Sequence, residues 1–429
     1  MFSWISRRGL VRGTRIATLG VALAAVFLIP LVGWAQAKSA PQPLPETSPW
    51  PLERLMTVPK MEWADQTMPV HSLFYEGEPY EGRATRVFAY YASPLTLGKP
   101  DAADAAYPAV VLVHGGGGTA FREWATLWAE RGYAALAMDL AGHRPIEGKN
   151  AHQRENRQRL PDGGPDQGDA EKFGRIDLAP GEQWSYHAIA NVIRGHSLLR
   201  SFREVDAART AITGISWGGY LTCIAAGVDS RFRAAVPVYG CGFLYENSAW
   251  LDRFNNMTPA QRERWITLWD PSRYLPSVAM PILFVNGTND FAYPLDSYMK
   301  SFDAVQVEKQ LRVTVNLPHS HPAGWAPNEI ARFIDQHLRG GDPLPQLSEP
   351  RVEGGTYLFS CASKPALARA DLHWTRENSP INKRVWQSQS LVIDRDSIRV
   401  TATEPGTTAW FITVTDTAGG TISSRTFFP

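Results

Sequence analysis

Residues 210–221, TAITGISWGGYL, place a serine between two glycines at the end of a run of strand-forming residues. In a G-x-S-x-G turn, small flanking residues let the chain fold back sharply from a strand into a helix, which lifts the serine Oγ to the top of a sheet. Ser216, flanked by Gly214 and Gly218, is therefore a candidate nucleophile. The same pentapeptide also fits a glycine-rich turn with a surface serine, and by itself it does not decide between the two.

A serine nucleophile requires a base, an acid that orients the base, and donors that stabilise an oxyanion. Each has a candidate directly after a predicted strand: Asp290 in NGTND, His319 and His321 in PHSHP, and the glycines of HGGGG at 114–118. Residues without side chains allow backbone N–H groups to approach the oxyanion. Taken singly, these are also typical of a turn aspartate, surface histidines and a flexible loop. Their joint position after strands favours a catalytic serine.

Four segments resemble the α/β-hydrolase superfamily, and within it the branch of dienelactone hydrolases, prolyl oligopeptidases and acetyl xylan esterases. The likeness covers about residues 60–340 and is carried by HGGGG, GYAALAMDLAG at 132–142, VDAARTAITGISWGG at 205–219 and PILFVNGTNDFAYP at 281–294. The resemblance implies Ser216 as nucleophile and Asp290 as acid. It also implies an oxyanion hole made by the N–H of Trp217 with that of Gly116 or Gly117.

The histidine that serves as base has two candidates. The family's base often has a small residue on either side, so Ser320-His321-Pro322 favours His321, with His319 as the alternative base or as a hydrogen-bond neighbour. We predict that bulky residues near the site, Tyr293 and Trp325 among them, contact the substrate and shorten the acyl pocket.

These residues must be positioned by an alternation of strands and helices. Between about 60 and 340 the pattern predicts an α/β fold with a mostly parallel central sheet and helices on both faces. Predicted strands lie at 109–113, 133–138, 210–213, 234–239, 281–285 and 311–317. Predicted helices lie at 121–131, 188–203, 219–228, 259–268, 295–303 and 328–338. Residues 80–93 are expected to add antiparallel edge strands.

Two regions depart from this pattern. Residues 144–183 are polar and rich in Gly, Pro, Asp and Arg, and a loop of this length is usually functional or disordered. After the glycine- and proline-containing linker at 340–345, residues 351–429 show period-2 runs that predict a small all-β sandwich. A β-rich tail after such a domain resembles the PhoPQ-activated pathogenicity-related proteins.

The N-terminus predicts export. Arginines precede an apolar run that ends at the A-x-A sequence of residues 35–37, so residues 1–37 are predicted to be a signal peptide, with a twin-arginine-like motif at 6–12. An uncleaved anchor is the alternative; cleavage would leave no membrane span. A periplasmic or extracellular location follows. Residues 38–59 form a proline-rich spacer that we expect to be poorly ordered.

Composition excludes several classes. The 429 residues include 43 basic and 42 acidic side chains, so the chain lacks the excess of positive charge that is typical of nucleic-acid-binding proteins. Three cysteines without zinc-site spacing do not indicate a metal site or a disulfide scaffold. No metal or organic cofactor is therefore expected, and no feature points to an oligomeric state.

Three functions compete. An ester hydrolase acting on a small ester or an acylated carbohydrate is favoured. An oligopeptidase of this branch would carry a large N-terminal propeller, for which the stretch of about 70 residues between the predicted cleavage site and the HGGGG strand leaves no room. A non-catalytic binding protein would be expected to lack one of the candidate residues, and none is missing.

Overall fold

The computed structural model describes Gly9 and residues 40–99, 106–401 and 405–429. Apart from Gly9, the predicted signal peptide lies outside the described residues. Residues 38–429 form one compact unit. Within the described ranges, we find no helix that is both long and apolar enough to span a bilayer.

A large sheet organises the first three quarters of this unit. Its strands and one small hairpin are β1 (Met61–Asp65), β2 (His71–Glu76), β3 (Arg86–Ala92), β4 (Tyr107–Val113), β5 (Ala134–Met138), β6 (His143–Pro145), β7 (Arg157–Arg159), β8 (Val205–Ile215), β9 (Ala234–Val238), β10 (Ile282–Gly287) and β11 (Lys309–Thr314). Nine of these described strands pair in the order β1-β2-β3-β5-β4-β8-β9-β10-β11, and β6 pairs with β7 apart from them. From β5 to β11 the neighbours are parallel.

Helices cover the sheet and connect its strands. They are α1 (Leu52–Leu55), α2 (Arg122–Glu130), α3 (Trp184–Leu199), α4 (Trp217–Val228), α5 (Leu251–Asn255), α6 (Pro259–Trp269), α7 (Leu295–Ala304), α8 (His321–Trp325) and α9 (Asn328–Arg339). Every residue of β4, β5, β9 and β10 is buried, as expected for parallel strands covered on both faces. The predicted α/β class, its six strands and its six helices are confirmed, with shifted ends.

One edge of the sheet differs from the prediction. The strand expected at an edge, β3, lies inside the sheet, antiparallel to both β2 and β5. Outside it lie β2 and β1, which the sequence analysis missed. The reason is the weak signal of β1, where every side chain is at least partly exposed and two of the five residues are charged.

The proline-rich spacer is not poorly ordered over residues 40–59. Trp50 is 5% exposed, and its Nε1 donates to Tyr186 O over 3.0 Å. Gln42 N donates to Pro276 O over 2.9 Å. Burial of a large indole and pairing of the backbone outweigh the flexibility that its composition suggests.

The C-terminal residues form two small antiparallel sheets. Their strands are β12 (Gln346–Leu347), β13 (Arg351–Glu353), β14 (Thr356–Ala362), β15 (Leu367–Thr375), β16 (Gln387–Leu391), β17 (Ile393–Asp394), β18 (Ser397–Thr401), β19 (Ala409–Asp416) and β20 (Thr421–Ser423). One sheet has the order β12-β14-β18-β17, with β13 beside β14, and the other has the order β16-β15-β19-β20. The rings of Tyr357 and Trp410, one from each sheet, lie 4.8 Å apart.

Polar contacts join this C-terminal module to the large sheet. Arg332 of α9 makes two hydrogen bonds of 2.8 and 3.0 Å with the buried Asp416 carboxylate. Thr421 N donates to Glu329 Oε1, and Val313 N at the end of β11 donates to Ser423 Oγ over 2.8 Å. The module therefore completes hydrogen bonds that α9 and β11 would otherwise lack.

Candidate active site

The turn between β8 and α4 presents Ser216. Its backbone has φ 58° and ψ −117°, a region that non-glycine residues rarely occupy. A Cβ at Gly214 would collide with Gly218 O, and one at Gly218 with Val113 O, so the backbone approaches too closely for any side chain at these two positions. The GISWG sequence thus forms the strained strand-to-helix turn rather than a loose surface loop.

His319 and Asp290 meet beside this serine. His319 Nε2 lies 2.9 Å from Ser216 Oγ, and His319 Nδ1 lies 2.6 Å from Asp290 Oδ2. Asp290 is 1% exposed, and its other oxygen accepts from Ala292 N at 2.9 Å and Tyr293 N at 2.7 Å. The carboxylate is therefore held in one orientation and in turn fixes the imidazole.

The preference for His321 as base does not agree with this geometry. His321 Nε2 accepts a hydrogen bond of 2.9 Å from Gly115 N, which leaves that nitrogen without a proton. Burial, together with the neighbouring His114, lowers the pKa of His321 to about 3. The ring packs against Phe121, 4.7 Å between centres. The chain leaves β11 along a path that turns His319 toward the serine and directs His321, at the start of α8, to the glycine loop.

The glycine loop lies directly against the turn. A Cβ at Gly115 would stand 3.0 Å from Ser216 Cβ, and one at Gly116 would meet the Trp217 ring. Trp217, predicted to supply an oxyanion donor, begins α4 with its side chain 2% exposed. Gly117 and Gly118, the next residues of the loop, have carbonyls that accept from the Arg157 guanidinium.

The sequence analysis assigned no role to three side chains that support the glycine loop, although two of them, His114 and Asp139, lie in segments that it quoted. Arg157 binds the carbonyls of the loop from β7. Asp139 accepts from Thr119 Oγ1 at 2.7 Å, at the end of the loop, and His114 Nε2 accepts from Leu140 N at 2.8 Å. Only proximity in the fold joins them, since their spacing along the chain matches no catalytic pattern.

The two residues predicted to contact the substrate, Tyr293 and Trp325, differ in how deeply they are buried. Tyr293 is fully buried and packs on Trp250, 5.3 Å between ring centres, so it belongs to the core rather than to a substrate surface. Trp325 is partly buried against Trp124 on the His321 side. Phe291, by contrast, is 59% exposed, with its ring centre 4.9 Å from that of His319.

Two family models match the chain. The acetyl xylan esterase model matches residues 52–253, and the prolyl oligopeptidase family model matches residues 178–338. Among solved structures, the acetyl xylan esterase from Paenibacillus sp. R4 is 20% identical, with a TM-score of 0.51 over 67% of this chain and 92% of that one. Acetyl xylan esterase 1 from Thermoanaerobacterium sp. JW/SL YS485 is 18% identical, with a TM-score of 0.51 over 70% and 96%.

The two family models and the fold of these solved structures support the α/β-hydrolase superfamily. The curated uncharacterized peptidase YuxL of Bacillus subtilis (strain 168) is 24% identical over 54% of this chain, and the match covers only 35% of that relative. Both matching families are named for hydrolases, so the comparisons support a hydrolase. They do not decide whether its substrates are esters or peptides.

Proposed function

We propose that the protein is a serine hydrolase that cleaves carboxylic esters with short acyl groups. The observation that carries the proposal is the pair of hydrogen bonds from His319, one to Ser216 Oγ and one to the buried Asp290. A nucleophile within hydrogen-bond reach of a base that a third group orients is the arrangement required for acyl transfer.

The reaction proceeds in two steps. His319 Nε2 takes the proton of Ser216 as Oγ attacks the ester carbonyl, and Asp290 stabilises the imidazolium that forms. The proton then passes to the leaving alcohol, which departs and leaves an acyl-serine. Water, deprotonated by His319, hydrolyses that ester and restores the serine.

The proposed oxyanion hole consists of the N–H of Trp217 and that of Gly116 or Gly117. Trp217 follows the nucleophile at the start of a buried helix, where an N–H without an intrahelical partner is available. Gly115 lies against Ser216, which brings the glycine loop within reach of the same carbonyl oxygen. His321, through its bond to Gly115 N, positions this loop.

Ester substrates are favoured over peptides by the two acetyl xylan esterase structures, which this chain covers over more than nine tenths of their lengths. A peptidase is the second candidate, because the prolyl oligopeptidase family model matches the segment that contains Ser216, Asp290 and His319. We further propose that an acylated carbohydrate is a substrate and that the protein is exported by its N-terminal signal.

The test is a hydrolysis panel of p-nitrophenyl acyl esters and aminoacyl anilides, with Ser216→Ala as the matched control. We expect ester cleavage by the wild type, a loss of at least about 10³-fold in the variant, and fluorophosphonate labelling of the wild type alone. Faster cleavage of anilides than of esters would favour the peptidase. Unchanged activity in Ser216→Ala would place the nucleophile elsewhere.

A further inference from the structure

The glycine loop beside Ser216 has no side chains of its own at residues 115–118 with which to hold its shape. Glycine loses more conformational freedom on ordering than any other residue, so four in succession are costly to fix. The loop closes on itself through one hydrogen bond of 3.0 Å, from Gly118 N to Gly115 O. The remaining anchors must therefore come from side chains outside these four residues.

Two of these anchors hold the first glycine. His114 Nε2 accepts from Leu140 N, so its Nδ1 carries the proton and donates to Gly115 O over 2.8 Å. His321 Nε2 accepts from Gly115 N at 2.9 Å. Both polar backbone groups of Gly115 are thereby paired, and the other end of the loop requires a separate anchor.

Arg157 of β7 anchors that other end. Its Nη1 donates to Gly117 O and, over 2.9 Å, to Gly118 O. Its Nε and Nη2 donate to Ala151 O over 3.0 and 2.8 Å, and Nη2 also donates to His152 O over 3.4 Å. Within the part of the chain that the structure describes, this guanidinium bonds only to backbone carbonyls. It therefore acts on the path of the backbone rather than on another charge.

These anchors leave two N–H groups of the loop free. Among the described residues, Gly116 N and Gly117 N have no hydrogen-bond acceptor, whereas Gly115 N and Gly118 N are paired. The two free groups belong to the planar peptide units that lie between the anchored ends. Their direction is consequently determined only while both ends of the loop are held.

We propose that Arg157 is a positioning residue for the oxyanion hole. By holding the carbonyls of Gly117 and Gly118, it keeps the N–H groups of Gly116 and Gly117 directed at the carbonyl oxygen of the substrate. The inference rests on the proposed acyl transfer, since it concerns the oxyanion formed in that reaction. Donors fixed in advance are effective because they need no reorganisation as the negative charge develops. The hairpin of β6 and β7 thus supports catalysis without contributing a reacting group.

The test compares two arginines of the same strand. Arg157→Met removes the bonds to the glycine loop. Arg159→Met removes a similar set of bonds elsewhere, because Arg159 donates to Ala141 O over 2.7 Å and to Gly142 O over 3.1 Å. Thermal unfolding of both variants checks that they are folded.

Loss of one oxyanion donor lowers kcat by about 10²- to 10³-fold. We therefore expect kcat on p-nitrophenyl acetate to fall about 10²-fold in Arg157→Met, with KM within about threefold of the wild type, because the donors act on the transition state. Arg159→Met should keep kcat within about threefold of the wild type. An unchanged kcat in Arg157→Met, or an equal loss in Arg159→Met, overturns the proposal.

A crystal structure of the wild type after reaction with a fluorophosphonate is a second measurement, and it needs no variant. The phosphonyl oxygen of the serine adduct takes the place of the oxyanion. We expect this oxygen within about 3.1 Å of Trp217 N and of Gly116 N or Gly117 N, with Arg157 still bonded to the loop. An oxygen beyond reach of both glycine N–H groups, or a loop that has left Arg157, overturns the proposal.

Failure of the proposed function is distinguishable from failure of this inference. If the wild type is labelled by the fluorophosphonate but cleaves no ester, ester hydrolysis is refuted and the labelling rate replaces kcat. Labelling should then be about 10²-fold slower in Arg157→Met than in Arg159→Met. Equal labelling rates in the two folded variants would refute the role of Arg157. A wild type that is neither active nor labelled would refute both proposals, because no oxyanion would form.

Discussion

The two histidines of the PHSHP sequence allow a sharp test of the proposed mechanism. His319→Ala removes the only described side chain that lies within hydrogen-bond distance of both Ser216 and Asp290. Loss of a triad member typically costs 10³-fold or more, and we expect kcat to fall by at least about 10³-fold, or about 4 kcal/mol in the activation free energy. The fold should remain, because Asp290 keeps its two backbone donors.

His321→Gln is the matched control. A glutamine Oε1 can replace His321 Nε2 as the acceptor for Gly115 N, and that single hydrogen bond contributes about 1 kcal/mol. We therefore expect no more than about a tenfold loss of activity. The two variants should differ by about a hundredfold or more in kcat.

The assay is steady-state hydrolysis of p-nitrophenyl acetate, with thermal unfolding of each variant to confirm that it is folded. The rate of fluorophosphonate labelling provides an independent measure of serine nucleophilicity. If His321→Gln lost as much activity as expected for His319→Ala while His319→Ala stayed active, the assignment of the base would move to His321, and the hydrogen-bond argument would be refuted.

Further predictions concern stability and acyl length. The pKa of His321 is lowered from 6.5 to about 3, so between these pH values the unfolded chain binds a proton that the folded chain does not. The free energy of unfolding should therefore decrease by about 1.4 kcal/mol for each unit by which the pH is lowered in this window. In urea denaturation, the decrease from pH 7 to pH 5 should be about 2 kcal/mol smaller for His321→Gln than for the wild type. Asp416→Ala leaves Arg332 without its buried partner and should lower the free energy of unfolding, measured by urea denaturation, by about 3 kcal/mol. Its kcat on p-nitrophenyl acetate should stay within about threefold of the wild type. An unchanged free energy of unfolding would show that this ion pair is unimportant for stability. Acetyl esters should be cleaved faster than octanoyl esters because the exposed Phe291 ring, centred 4.9 Å from that of His319, crowds a longer acyl chain. A kcat/KM that climbs from C2 to C8, as about 0.8 kcal/mol per buried CH₂ would produce, contradicts this.

The C-terminal module shows what local sequence patterns can predict and what they cannot. Its alternating runs predicted strands, and two small sheets are present. The proposed division into a catalytic domain at 60–340 and a β-module at 351–429 follows from the linker composition. Period-2 patterns could not reveal that Asp416 accepts from Arg332 or that Ser423 accepts from Val313, because those partners come from another part of the chain.

The sequence by itself determined the α/β class, the buried strands and the turn at Ser216. These depend on local properties, namely continuous apolar runs and glycines whose absent side chains allow the close approach of Gly214 to Gly218. Asp290 was identifiable for a similar reason, since a turn directly after β10 must lie at the carboxyl edge of the sheet.

Only the tertiary structure decided between His319 and His321. Both follow the same strand, and a two-residue step along an irregular loop changes the direction of a side chain completely. The loop is held by Tyr239, whose hydroxyl donates to Pro318 O over 2.7 Å and whose ring stacks on His319. Likewise, the position of Lys172, whose Nζ lies 4.6 Å from the centre of the Trp217 ring, depends on how segment 144–183 folds over the turn at Ser216. Contacts between distant segments set both outcomes, and neither spacing nor periodicity encodes them.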